Sequence, residues 1–130
     1  LSAEDRAALT SALAGAGLVE ELREELMDAG SALCGCSPAF TDLYLESLAD
    51  GAVACGIPHA QALRLAAAAV QGAAALALES GEHPAVLKNR VCSPAGSTIQ
   101  GVRTLEARGF RSAVFEALLT AAGASGSLGK

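Results

Sequence analysis

The feature that most constrains the fold is a run of almost entirely apolar residues in the middle of the chain. Between Leu65 and Leu78 the only strongly polar residue is Gln71, and most of the others are alanine. Alanine has the highest helix propensity, so the segment predicts one long helix from about His59 to Ser80. A helix that is apolar nearly all round must be buried on most of its sides.

Either a membrane or other protein can bury such a helix. A membrane span needs about 18 or more strongly apolar residues, whereas Arg64, Gln71 and Glu79 interrupt a run made mostly of alanine. A chain of 130 residues buries only about two thirds of its unfolded surface by folding on itself. The sequence therefore predicts no membrane partner, and favours a helix that a second subunit covers in a homodimer.

Composition supports an all-α fold. Hydrophobic residues make up 52 % of the chain, but aromatic residues only 3 %, and tryptophan is absent. The core must then be built mostly from alanine, leucine and valine. Alanine is the best helix former, and small side chains such as its methyl group let helices approach closely. The net charge of −5 and the lack of any lysine or arginine run argue against a nucleic-acid partner.

Turn signals divide the chain into predicted helices. They lie at Gly15–Gly17, Gly35–Pro38, Gly56–Pro58, Ser80–Pro84, Ser93–Thr98 and Gly109–Phe110. Ser2 fits the cap of the first helix, and Pro38 and Pro84 each fit the first turn of a new one. The segment 18–22 fits either a strand or a helix start. The Gly/Ser-rich segment 123–130 is predicted to be a flexible tail.

The segment Ser93–Thr98 is the strongest candidate for a binding site. It places two or more hydroxyl groups and a glycine just before a predicted helix. The first turn of a helix has unpaired N–H donors and a partial positive charge, so it binds a carboxylate or phosphate without lysine or arginine. Gly96 lets a ligand approach the backbone. The alternative is that Ser97 or Thr98 is only a helix cap.

No other motif predicts chemistry. The four cysteines, Cys34, Cys36, Cys55 and Cys92, lack the spacing of a zinc site, so we expect no metal and interpret them as free, buried thiols in a reducing cytoplasm. His59 and His83 lie beside prolines and are interpreted as structural or solvent-exposed. The acidic residues of 20–25 fit a solvated face. A phosphate-binding loop and the glycine-rich dinucleotide fingerprint are both absent from the sequence.

The loop Val91–Ile99 resembles the signature of pyrroline-5-carboxylate reductases, which is usually Ser-Pro-Gly-Gly-x-Thr. Further segments resemble the same family in the same order between about Leu18 and Ala117. They are Glu25–Ala29, Gly35–Phe40, Leu48–Gly51, Gly56–Pro58, Ser80–Pro84, Leu87–Lys88, Leu105–Glu106 and Gly109–Ser112.

The resemblance implies a helical dimerisation domain of the 6-phosphogluconate-dehydrogenase-like type, interlocked with a second subunit. In this family such dimers often assemble into decamers, as pentamers of dimers. An upstream Rossmann domain would bind NADPH or NADH, and the chain begins with Leu1 rather than methionine. On this interpretation residues 1–22 end the Rossmann domain, residues 23–122 form the helical domain, and the protein is cytoplasmic.

The resemblance also implies a reaction, the reduction of L-1-pyrroline-5-carboxylate to L-proline. Ser93, Gly96, Ser97 and Thr98 would bind the substrate, and Thr98 would be the catalytic residue, donating a hydrogen bond to the ring nitrogen. A threonine hydroxyl is too weak an acid to protonate an amine alone, so we expect an orienting or relaying role. The fragment by itself is expected to be inactive.

Three positions depart from the family pattern. Cys36 replaces the usual serine and Ser37 the usual glycine in a turn expected near the cofactor, and Ala95 replaces the first glycine of the loop. If position 95 needs a positive φ, alanine there is strained by about 1 kcal/mol or more. The departures leave two alternatives open, a non-catalytic oligomerisation module and a reductase of a different small cyclic imine acid.

Overall fold

The computed structural model describes residues 1–128, and this part of the chain contains helices and no strand. The α-helices are α1 (Ala3–Leu13), α2 (Met27–Ala54), α3 (His59–Ser80), α4 (Pro84–Val91), α5 (Ser97–Ala107) and α6 (Phe110–Leu128). Short 3₁₀ turns lie at Ala14–Ala16 and Glu24–Leu26. The predicted all-α class is confirmed, and α3 has the predicted bounds.

Two helix starts follow the local sequence signals. The hydroxyl of Ser2 accepts a hydrogen bond from the Asp5 N–H (3.1 Å), and the Asp5 carboxylate accepts one from the Ser2 N–H (3.2 Å). This reciprocal capping box satisfies two N–H groups that the first turn leaves unpaired. At α4, Pro84 occupies the first turn as predicted, and His83 caps the helix by accepting a hydrogen bond from the Ala85 N–H at Nδ1 (3.2 Å).

The predicted break at Gly35–Pro38 is wrong, because α2 continues through it. Pro38 has no N–H to donate to the carbonyl of Cys34, four residues earlier, and normally kinks or ends a helix. Here side-chain hydroxyls bond to the backbone on either side. Ser37 donates to the Leu33 carbonyl, and Thr41 donates to the Ser37 carbonyl (2.9 Å). Packing of α2 against both α3 and α6 keeps the two halves in one helix.

The chain ends also differ from the sequence expectations. Residues 18–22 form neither strand nor helix. The Leu22 side chain packs against Gly30 of α2, with its Cδ1 2.5 Å from the position that a Cβ on Gly30 would take. The expected flexible tail from residue 123 is helical as far as Leu128. Gly126 lies close to the Asp28 carboxylate of α2, so packing against α2 extends the helix despite its glycines and serines. Gly129 and Lys130 lie outside the described residues.

The packed body of the molecule is made of α2, α3 and α6. Among residues 1–126, the buried positions are all alanines, namely Ala32 and Ala49 of α2 and Ala62 and Ala66 of α3. Small side chains let the helix axes approach closely, and α2 packs against both α3 and α6. The ring centroids of Tyr44 and Phe110 lie 5.8 Å apart, where α2 packs against the start of α6. The alanines expected in the core are therefore buried, whereas the leucines and valines expected beside them are not buried in the single chain.

The single chain leaves a large apolar surface uncovered. Its accessible surface is 9,904 Å², whereas a globular monomer of 12.9 kDa exposes about 6,300 Å². Within residues 1–128, α3 alone is long and apolar enough to cross a membrane by length and composition, and 6 % of its most apolar window is buried. Leucines of α3 such as Leu65, Leu76 and Leu78 are more than half exposed. The chain by itself does not provide the burial that α3 requires.

Candidate functional site

The loop between α4 and α5 is a tight turn. The Gly96 N–H donates a hydrogen bond to the Ser93 carbonyl (3.1 Å), which closes the four residues from Ser93 to Gly96. Pro94 occupies the second position, and Ala95 has a φ of +57° at the third. A proline followed by a positive φ is the pattern of a type II turn. The turn reverses the chain and delivers it directly into α5.

Ala95 is the single non-glycine residue with a positive φ among the described residues. An L-residue in this region of backbone space costs roughly 1–2 kcal/mol because its Cβ approaches the following carbonyl. The strain expected from the sequence is therefore confirmed. The turn keeps this geometry because Pro94 fixes its own φ and the Ser93–Gly96 hydrogen bond closes the loop.

Gly96 allows the Ser93 hydroxyl to lie directly over the backbone. A Cβ at position 96 would lie 2.2 Å from the Ser93 Oγ and 3.2 Å from the Ser93 carbonyl oxygen. A side chain at position 96 would therefore displace the Ser93 hydroxyl from its present position. Glycine leaves the space that this hydroxyl occupies beside the cap of α5.

The first turn of α5 presents unpaired donors. Gly96 is the cap residue, with extended backbone (φ −69°, ψ 168°), and no side chain caps the helix. The alternative that Ser97 or Thr98 serves as the cap is therefore wrong, because both are inside the helix. Over residues 1–128, the N–H groups of Ser97 and Thr98 and the hydroxyls of Ser93 and Thr98 have no hydrogen-bond partner. Free donors at the start of a helix are of the kind that can bind an anion.

The site residues are exposed in the single chain. Ser93, Ser97 and Thr98 are exposed, and Gly96 is half-buried. The site is therefore open to solvent in the single chain, and a ligand can reach it.

The second predicted location is in a different element. Cys36 and Ser37 are half-buried in α2, and the Ser37 hydroxyl is already bonded to the Leu33 carbonyl. No hydrogen bond in the described part of the chain joins them to the Ser93–Thr98 loop. Their expected place near a cofactor stays a prediction.

All four cysteines are free, but Cys34 and Cys55 are exposed and Cys36 and Cys92 are half-buried, so the expectation that these thiols are buried is wrong. Residues 1–128 contain no group of three or more His, Cys, Asp or Glu side chains arranged to hold a metal ion. His83 is a helix cap and His59 is an exposed residue at the start of α3.

Sequence reasoning missed one feature close to the loop. Arg90 reaches back along α4 and forms a two-pronged ion pair with Glu82, with its Nη2 2.6 Å from Oε1. Both residues lie within the segment that leads into the loop. Glu82 lies just before α4 and Arg90 in its last turn, eight residues later. This spacing is not a recognised pattern for ion pairs along a helix, so only the structure reveals the pair.

Dinucleotide cofactors commonly bind at a glycine-rich turn between a strand and a helix. Residues 1–128 contain no strand.

Comparison with known families decides the affiliation. The family model for pyrroline-5-carboxylate reductase dimerisation matches residues 24–128. The chain belongs to this family. The matched range begins at the 3₁₀ turn before α2 and ends with α6, so the pyrroline-5-carboxylate reductase dimerisation domain covers the whole packed body and the α4–α5 loop.

Individual relatives agree with the family model. The chain is 45 % identical over 115 residues to the pyrroline-5-carboxylate reductase of Escherichia coli, covering 88 % of this chain and 43 % of the relative. It is 49 % identical over 114 residues to that of Synechocystis, covering 88 % and 43 %. The chain thus spans less than half the length of these two relatives.

Solved structures show the same fold. The pyrroline-5-carboxylate reductase of Coxiella burnetii superposes with a TM-score of 0.93 at 29 % identity, covering 98 % of this chain and 48 % of that one. The Plasmodium falciparum pyrroline carboxylate reductase, solved with NADP bound, superposes with a TM-score of 0.87 at 28 % identity, covering 100 % and 52 %.

Proposed function

We propose that this chain is the substrate-binding and dimerising part of a pyrroline-5-carboxylate reductase, which reduces L-1-pyrroline-5-carboxylate to L-proline. The observation that carries the proposal is the start of α5, where unpaired N–H groups and hydroxyls converge behind the Ser93–Gly96 turn. The substrate is a small cyclic imine with one carboxylate, and this site provides donors for one carboxylate.

The substrate carboxylate would lie at the N-terminus of α5. The N–H groups of Ser97 and Thr98, together with the Ser93 hydroxyl, provide neutral donors, and the helix dipole adds a partial positive charge. Such a site binds the anion without a cation that would attract other polyanions. Gly96 contributes because it has no Cβ, and the Ser93 hydroxyl occupies the space where a Cβ would lie.

The Thr98 hydroxyl would orient the ring. With the carboxylate bound to the N–H groups of α5, the imine nitrogen would be within reach of the Thr98 side chain, in the first turn of the helix. The hydroxyl then holds the nitrogen or relays a proton to it from water, since its own acidity is too low to protonate an amine. Positioning of the ring relative to the hydride donor would supply most of the rate enhancement.

A nicotinamide cofactor, NADPH or NADH, would supply the hydride from a separate Rossmann domain. We propose that this domain precedes the chain and that residues 1–22 belong to its end. In support, the chain spans only 43 % of its E. coli relative, and α1 has no buried residue. Cys36 and Ser37 would lie near the nicotinamide, and the enzyme would be cytoplasmic like other reductases of soluble metabolites.

A second copy of the chain would cover the exposed apolar surface. The surface exceeds that expected of a compact monomer by about 3,600 Å², and part of the excess belongs to α1. Obligate dimers bury about 1,000–2,500 Å² per subunit, so one interlocked partner with an interface at the upper end of this range would cover about two thirds of the excess. Dimers would further assemble into a decamer, as a pentamer of dimers.

Turnover measurements on the complete gene product test the proposal. We expect oxidation of NADPH or NADH with pyrroline-5-carboxylate, and a fall in kcat of about tenfold or more in Thr98→Ala, equivalent to about 1.4 kcal/mol of transition-state stabilisation. Thr104→Ala is the matched control, because this threonine is on the same helix and its hydroxyl bonds to the Gln100 carbonyl (3.1 Å).

The two alternatives correspond to different outcomes. No turnover in a folded, cofactor-binding protein would contradict the proposal. Turnover of another cyclic imine acid, but not of pyrroline-5-carboxylate, would assign a different substrate. Equal losses in Thr98→Ala and Thr104→Ala would show that the Thr98 hydroxyl has no special role.

A further inference from the structure

The corner between α3 and α4 sets where the Ser93–Thr98 loop lies. Among residues 1–128, α2 packs against α3 and α6, and α5 packs against α6, whereas α4 has no comparable packing against another helix. The direction in which α4 leaves α3 therefore depends on the contacts made within the corner itself.

Three backbone features shape this corner. Gly81 ends α3 with a φ of +63°, and its N–H donates to the Ala77 carbonyl (3.2 Å). The Ser80 hydroxyl accepts a hydrogen bond from the Glu82 N–H (3.3 Å). His83 then caps α4. These contacts fix the chain up to the first turn of α4 but not the far end of the helix, where the loop begins.

The Glu82–Arg90 pair connects the corner to that far end. Arg90 Nη1 donates to Glu82 Oε2, and Nη2 donates to Oε1 (2.6 Å). The Glu82 side chain is 34 % exposed and that of Arg90 is 62 % exposed. A two-pronged guanidinium–carboxylate pair fixes orientation as well as distance. The pair spans α4, a helix of eight residues and about 12 Å.

We infer that Glu82 and Arg90 are positioning residues for the substrate loop, an inference that rests on the proposed function. Arg90 lies three residues before Ser93, and the intervening backbone is held by the Cys92 N–H bond to the Asn89 carbonyl (3.2 Å). Fixing the last turn of α4 against the turn that follows α3 therefore fixes the Ser93 hydroxyl relative to the N–H groups of α5. Loss of the pair loosens substrate binding and leaves the cofactor site unaffected.

Steady-state kinetics of the complete gene product test this role. In Glu82→Gln, which keeps the size of the side chain and removes its charge, we expect KM for pyrroline-5-carboxylate to rise about three- to fivefold. The value of kcat and the KM for the nicotinamide cofactor should stay within about twofold of the parent. The double variant Glu82→Arg/Arg90→Glu restores the pair in reverse and should recover at least half of the lost affinity.

Glu106→Gln is the matched control. Glu106 pairs with Arg111 (2.7 Å) across the corner between α5 and α6, at the far end of α5 from the loop. Its loss should leave every kinetic constant near the parent value. An unchanged KM in Glu82→Gln, an equal rise in Glu106→Gln, or a reversed pair that recovers nothing would overturn the inference.

Amide hydrogen exchange tests the same role without any turnover. Exchange over residues 92–99 should speed up about threefold or more in Glu82→Gln and stay unchanged in Glu106→Gln. The parent protein could lack pyrroline-5-carboxylate turnover while the loop still exchanges faster in Glu82→Gln. That result would contradict the proposed function but support the positioning role. A loop that exchanges equally in parent and variant would contradict the positioning role itself.

Discussion

The packed body and the arm are held by different forces. The body, made of α2, α3 and α6, depends on close approach of helices at buried alanines such as Ala49 and Ala62. The arm, residues 81–96, has little packing within the chain and depends on caps, a closed turn and one ion pair. Apolar packing is insensitive to direction and gives stability, whereas hydrogen bonds specify direction. The proposed binding site follows the arm, where direction matters.

Enlarging a buried alanine should have the largest effect on stability. Ala49 is 0 % exposed in α2, so Ala49→Leu forces neighbouring side chains or helices apart and should cost about 1–3 kcal/mol of unfolding free energy. Ala85→Leu, at an exposed position of α4, is the matched control and should change stability by less than about 0.5 kcal/mol. Urea denaturation measures both. Equal losses would remove the distinction between body and arm.

Relieving the strained turn should have a smaller effect of the opposite sign. Ala95→Gly removes the Cβ from a position with φ of +57° and should stabilise the protein by about 1 kcal/mol. Ala7→Gly, inside α1, should instead destabilise it by up to about 1 kcal/mol, because glycine is a poor helix former. Thermal unfolding of the two variants distinguishes them. A loss of stability in Ala95→Gly would show that alanine is not strained there.

The smallest effect is expected at α1, which has a cap but no buried residue. Hydrogen bonds from the Ser2 hydroxyl and then from the Ser2 N–H lower the pKa of the Asp5 carboxyl from its ordinary value of 3.8. A depressed pKa in the folded state means that the bond stabilises α1 above about pH 4 and that this stabilisation is lost as the pH falls through the folded-state pKa. An NMR titration of Asp5 measures it.

Ser2→Ala is the control for that titration. It removes the hydroxyl, the larger cause of the shift, and should move the pKa of Asp5 back toward 3.8. An identical pKa in parent and variant would mean that the capping box does not persist in solution.

The sequence predicted features whose signals are local or periodic. The alanine-rich run predicted α3, Pro84 predicted the start of α4, and the small residues before Ile99 predicted the loop. A positive φ at position 95 was considered because the family usually has glycine at this position of the loop. Each of these depends on a few neighbouring residues and on backbone chemistry that acts in any tertiary context.

The features that sequence reasoning missed depend on tertiary packing or on long side chains. Gly35 and Pro38 both signal a helix break, but packing of α2 on two sides overrides them. The glycines of α6 signal an end, but contact with α2 near Asp28 extends the helix. The Glu82–Arg90 pair depends on the path of two flexible side chains along α4. No local pattern encodes such contacts.

If a second copy of the chain covers α3, as proposed, the folding of one chain depends on the presence of another. A protein whose apolar surface is covered only on association has no stable folded monomer, so its folding and its assembly are a single equilibrium governed by mass action. The midpoint of unfolding then rises with protein concentration, and dilution alone favours the unfolded chain. In the proposed dimer, the alanines that favour the helical conformation of α3 would thus also make the fold depend on two chains.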